Sequence, residues 1–183
     1  MPTDRPILIG ADDAGLGLLD VIALDLADRG IEIEVVRPDD LAGGGAATHG
    51  TSDADVDYPD VAERVALAIR DGHADRGILI CGTGIGMAIT ANKVPGVRAA
   101  QAHDVYSAER ARKSNNAQIL TLGARVIGPE SAKTVVHAWL ASEFAGGAST
   151  RKVDKIDELE RRLATTGADR ADGSSARADG SSA

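Results

Sequence analysis

The chain is almost devoid of cysteine and aromatic residues. Its one cysteine, Cys81, excludes an intrachain disulfide and any CxxC metal site. The four histidines, His49, His73, His103 and His137, show neither HxH nor HExxH spacing, so no metal site is expected. With one Phe, two Tyr and one Trp, the core must come from Ile, Leu, Val and the 32 alanines, which suits helices laid closely on a sheet. Basic residues are outnumbered by acidic ones, 20 to 28, and a net charge of −8 offers no basic stripe for nucleic acid. A small anionic substrate stays open, because local cations override the sum. No apolar run approaches the ~18–20 residues that span a bilayer. The start, MPTDRPILIG, has no basic n-region followed by an apolar run, so no signal peptide is read there. A reduced, soluble, cytoplasmic protein is expected.

What is present is a regular alternation. Segments at Ile7–Gly10, Gly77–Cys81, Val97–Ala102 and Ile119–Leu122 read as strands, as does Ile31–Val36, where Ile31, Ile33 and Val35 alternate with glutamates. Helical spacing fills Gly15–Arg29, Tyr58–Asp71, Met87–Lys93, Asp104–Lys113, Pro129–Ser142 and Val153–Leu163. A glycine- and alanine-rich loop covers 38–56. Five strands interleaved with helices predict an α/β fold, an open, doubly wound parallel sheet with helices on both faces. The domain is placed at residues 1–163. Beyond it, RADGSSA occurs twice in tandem with nothing apolar larger than alanine, so 164–183 is expected to be a disordered tail.

Ligands of such folds bind outside the carboxyl ends of the strands. After the first strand come Asp12 and Asp13, which equally suit helix capping. After the third comes Cys81-Gly-Thr-Gly-Ile-Gly86, whose alternate glycines let backbone amides approach an anion beside a thiol. A dinucleotide fingerprint fails on spacing, since Met87 and Ile89 stand where its last glycine would be, and no Lys-Ser/Thr pair follows for a P-loop. His103 follows the fourth strand. Asn115, before the fifth strand, and Arg125, after it, read as polar groups reaching the same crevice.

The segments ILICGTGIGMAITANKVPGVRAA and SNNAQILTLGARVIG resemble the family of ribose-5-phosphate isomerase B and galactose-6-phosphate isomerase, over Ile7 to about Leu163. The resemblance implies a Rossmann-like fold and cofactor-free interconversion of aldose and ketose phosphates. It also implies a homodimer, or a dimer of dimers, whose active sites are shared between chains. By position, Cys81 would be the base that moves a proton through a cis-enediolate, with Thr83 assisting. The amides of Gly82, Gly84, Ile85 and Gly86 would form the oxyanion hole. Asp12, Asp57 and Tyr58 match substrate-contacting positions, Asn115 one supplied by the neighbouring chain, and Arg125 a phosphate-site arginine.

Departures from the family pattern bear on the substrate. Asp13 and Ser114 stand where histidines are usual, Ser114 at the ring-opening position. The family's GGRHxxR becomes Gly146-Gly-Ala148-Ser149-Thr-Arg151-Lys152, leaving Arg151 and Lys152 as phosphate cations. A four-carbon aldose phosphorylated on O4 closes no furanose ring and needs no ring-opening acid. The substrate is therefore expected to be D-erythrose 4-phosphate/D-erythrulose 4-phosphate, its phosphate carried by Arg125, Lys152 and Arg151 because Asp13 would repel it. Ribose 5-phosphate is the alternative, with His103 replacing the missing acid. A non-catalytic sugar-phosphate binder is the reading from another class, and the intact Cys81 and glycine loop argue against it.

Overall fold

The computed structural model describes residues 5–41 and 56–175, from 167 onward by backbone alone. Five parallel strands form one sheet: β1 (Ile7–Ala11), β2 (Ile33–Val36), β3 (Arg76–Cys81), β4 (Ala99–Gln101) and β5 (Ile119–Gly123), in the order β2-β1-β3-β5-β4. The predicted doubly wound α/β architecture is present. Because the chain moves outward from β1 to β2 and then returns to β3, the order reverses between β1 and β3. That crevice is where such a sheet opens to a ligand, and Asp12 and Cys81 flank it.

Strand parity assigns each side chain to a layer. Ile7, Ile9, Ile78, Ile80, Leu120 and Leu122 meet α1 (Leu16–Asp28), α5 (Val105–Asn115) and α6 (Pro129–Leu140) on one face. Leu8, Leu79, Cys81 and Ile119 meet α3 (Tyr58–Arg70) and α4 (Ile85–Ala91) on the other. Alanines make the contacts thin: Ala108 and Ala111 of α5, and Ala62 and Ala66 of α3, are fully buried or nearly so. Each large aliphatic side chain buried here contributes about 1.5–3 kcal/mol.

Helix ends follow local chemistry. Asp104 caps α5 by accepting from the Ser107 N–H at 2.7 Å, and Asn116 closes it in the left-handed region at φ 50°. Asp57 opens α3, where its N–H donates to Asp60 Oδ2 at 2.9 Å. Differences from the sequence reading are small. A four-residue α2 (Pro38–Leu41) begins the expected glycine-rich loop, whose residues 42–55 lie outside the described ones. β4 is shortened to three residues because it pairs on one side only, with β5.

Gly146–Ala183 is a separate compact unit. A 3-10 turn (Gly147–Ser149) leads into α7 (Thr150–Ser175), on which Ile156, Leu159 and Leu163 are exposed. The helix runs past Leu163 into the stretch expected to be disordered. A helix already nucleated adds residues more readily than a new one starts. Residues 176–183, the end of the repeat, lie outside the described ones.

At the edge where the strands begin, Arg76 is buried at 3% exposure. It donates to the carbonyls of Leu140 (2.7 Å), Ser142 (3.0 Å) and Trp139 (3.3 Å), and to Glu143. Its guanidinium also lies 5.5 Å from the centre of the Trp139 ring. One cation thus satisfies carbonyls at the α6 C-terminus that the helix itself leaves open. Arg76→Met should destabilise the protein by on the order of 3 kcal/mol, read as a lower denaturation midpoint with an unchanged m-value.

Candidate active site

Cys81 closes β3 on the α3/α4 face and is 5% exposed. Beyond it the chain turns through Gly84 at φ +81°, the residue before α4. This left-handed turn swings the Gly84 N–H back onto Cys81 Sγ at 3.1 Å. Of the four amides expected in an oxyanion hole, that of Gly84 thus donates to sulfur. The Ile85 N–H contacts Thr83 Oγ1 at 3.4 Å. Gly82 and Gly86 are the two whose amides neither acceptor takes.

The loop is pressed onto the end of β5. A Cβ on Gly84 would fall 2.9 Å from the carbonyl carbon of Leu122, and one on Gly123 would fall 2.6 Å from that of Thr83. Two further side chains hold it, neither identified from the sequence. Thr121 Oγ1, fully buried, donates to Gly84 O at 2.9 Å, and Gln101 Nε2 donates to Thr83 O at 2.6 Å. Thr121 did leave a signal, being the one polar side chain in the apolar run ILTLG. Gln101 left none, since an exposed glutamine on an edge strand is ordinary.

Around the thiol, Asp12 and Arg125 approach from either side. Gly15 sits so close to β3 that a Cβ would lie 2.4 Å from Ile80 O, which sets the β1–α1 turn against the strand bearing Cys81. Within that turn, the Gly15 N–H donates to Asp12 Oδ1 at 3.0 Å. Burial pushes the Asp12 carboxyl above its ordinary pKa. The Gly15 and Ala14 amides oppose this, the exposed Asp13 adds to it, and Arg125 opposes it. Arg125 donates its N–H to Gly82 O at 3.0 Å, and its side chain passes along Gly82, 3.6 Å from where a Cβ would stand. Tyr58 lies over Gly86, where a Cβ would be 2.4 Å from the ring.

His103 follows β4, and its Nε2 accepts the Gly123 N–H at 2.8 Å. Burial lowers its pKa from the ordinary value, and Asp104 pulls the other way. Asp57 is an exposed helix cap. Arg151 and Lys152, both exposed, open α7 in the second unit. Asn115 is where the shared-crevice expectation fails for a single chain. It is the last residue of α5, about 16 Å along that helix from the strand ends. Its carbonyl accepts from Arg98 Nε at 3.2 Å, at the edge where β4 begins.

A family model described as Ribose/Galactose Isomerase matches residues 7–156. The chain belongs to that family. Among its relatives, a D-erythrulose-4-phosphate isomerase of Pectobacterium atrosepticum is 52% identical over 156 residues, covering 85% of this chain and 95% of the relative. A ribose-5-P isomerase B of Listeria innocua is 48% identical over 157 residues, covering 85% and 97%. The solved ribose-5-phosphate isomerase B of Clostridium thermocellum superposes with a TM-score of 0.74 at 42% identity, covering 87% and 99%. Like its relatives, this ribose/galactose isomerase family member is an aldose–ketose isomerase.

The contacts predict two contrasting glycine variants. Gly84→Ala combines a positive φ with a backbone clash and should cost more than about 1 kcal/mol in an unfolding titration. Gly86→Ala meets only the movable Tyr58 ring, so its melting temperature should change much less.

For Asp12, a raised folded-state pKa means that the native state disfavours the charge. Stability is then lost as pH rises from the unfolded-state value, near 3.8, through the folded one. Asp12→Asn should therefore melt above the wild type at pH 7. That gain should vanish below the ordinary carboxylate range.

Proposed function

We propose that the chain interconverts D-erythrulose 4-phosphate and D-erythrose 4-phosphate through a cis-enediolate, without a cofactor. The observation that carries this reading is the seating of Cys81: one thiol at the sheet's switch point, an amide donating to its sulfur, Arg125 alongside. From the ketose, the Cys81 thiolate takes a proton from C1 while negative charge develops on O2. The same proton is returned to C2, O1 becomes the carbonyl oxygen, and the exposed Thr83 hydroxyl carries the proton between the two oxygens. The amides of Gly82 and Gly86 face the developing charge, where preorganised donors are often worth about 3–4 kcal/mol each. Asp12, Asp57 and Tyr58 contact the sugar, while Asp13 repels the phosphate and leaves it to cations.

The tetrose is supported by Ser114 and Asp13, which remove the histidines a ring-closing substrate would use, and by the D-erythrulose-4-phosphate isomerase relative. The ribose-5-P isomerase B relative favours the pentose as a second reading. Phosphate is held by Arg125, whose side chain passes along Gly82 of the glycine loop. Asn115, at the far end of α5 from its own Cys81, serves the site of a second copy, so the working unit is a homodimer or a dimer of dimers. A catalytic thiol must stay reduced, which supports a cytoplasmic location.

The test is kcat/KM across tetrose, pentose and hexose phosphates with the purified protein. Erythrulose 4-phosphate should turn over fastest; faster turnover of ribose 5-phosphate would overturn the tetrose assignment. Cys81→Ala should lower kcat by about 100-fold or more. An undiminished rate would remove Cys81 from the mechanism.

A further inference from the structure

Gly123 ends β5 in register with Cys81. The next amide, that of Ala124, donates to Cys81 O at 2.8 Å, so the Gly123 N–H points the other way, toward β4. On that side the ladder is finished. β4 stops at Gln101, and the last bond between the strands is from the Ala102 N–H to Thr121 O at 3.2 Å. The buried Gly123 donor has no ladder carbonyl, and His103 Nε2 takes it at 2.8 Å. A backbone N–H facing Nε2 fixes the imidazole as the neutral tautomer with its proton on Nδ1. Burial, which lowers the His103 pKa, works in the same direction.

We propose that His103 is a positioning residue for the isomerisation. As a neutral acceptor it holds Gly123, and through Gly123 it holds the Thr83 backbone of the glycine loop. The coupling is steric, because Gly123 packs against Thr83 with no room for a Cβ. From the same end of β4, Gln101 Nε2 holds Thr83 O at 2.6 Å. The end of one edge strand therefore fixes Thr83 by two routes. The inference rests on the isomerase reading above and gives His103 no contact with the sugar. It also separates two roles by substrate. A ring-opening acid would act only on sugars that close a ring, whereas a positioning residue acts on all of them.

The experiment measures kcat and KM for the wild type, His103→Ala and His103→Gln on erythrulose 4-phosphate and ribose 5-phosphate. Misplacing a reacting constellation by about 1 Å costs about 100-fold. His103→Ala should lower kcat by that order, by the same factor on each sugar the wild type turns over, with KM little changed. His103→Gln presents a non-titrating oxygen near the place of Nε2 and should recover most of the rate. Selective loss on ribose 5-phosphate, equal impairment of both variants, or an unimpaired alanine variant would each overturn the proposal. Long-range 15N–1H correlation on the wild type should report Nδ1–H, and an Nε2–H tautomer would overturn it without any variant having to fold. If the wild type turns over no sugar phosphate, the functional reading fails while the tautomer still decides the His103 bond.

Discussion

The active edge of this protein depends on backbone lying directly on backbone. The glycine loop after β3 rests on β5 at Gly84 and Gly123, and the turn after β1 rests on β3 at Gly15, with no room for a Cβ at any of the three. Contacts this close leave little for side chains to adjust. The loop's position is set by the sheet itself, and Thr121 and Gln101 then tie down its carbonyls. Donors fixed in this way need not reorganise when charge develops, which is why preorganised amides are worth more than the same groups in water.

The two edges of the sheet divide the labour. Where the strands begin, the buried Arg76 binds the α6 C-terminus to β3 and has no part in the chemistry. Where they end, positive φ, tight glycines and a half-buried carboxylate accumulate, all features that cost stability locally. Helix α5 spans the two edges. Its N-terminal end borders His103 and the loop, and its C-terminal end carries Asn115 away from them.

The sheet, its five strands and their layers were legible because the central strands are short, mostly apolar runs and the edge strand β2 alternates apolar residues with glutamate. The glycines of CGTGIG made a tight loop legible, and the structure has a left-handed turn at Gly84 packed on Leu122. What escaped the sequence was the direction of individual groups. Nothing in the string says that the Gly84 amide points back at sulfur, since that follows from a left-handed turn made in three dimensions. The strand order β2-β1-β3-β5-β4 inserts β5 beside β3, and only that insertion brings Thr121 and His103 to the loop. That Asn115 stands away from its own chain's loop follows from a helix of eleven residues carrying its two ends to opposite edges.

Trp139 is the protein's one tryptophan, fully buried in α6 with the Arg76 guanidinium over its ring and its indole N–H without a hydrogen-bond partner. A shielded indole of this kind emits toward the blue, and a single emitter makes the signal unambiguous. Its intrinsic fluorescence is therefore a built-in gauge of whether the strand-beginning edge is assembled. Trp139 lies in the layer across the sheet from Cys81. The emission of this one residue therefore follows unfolding of that layer.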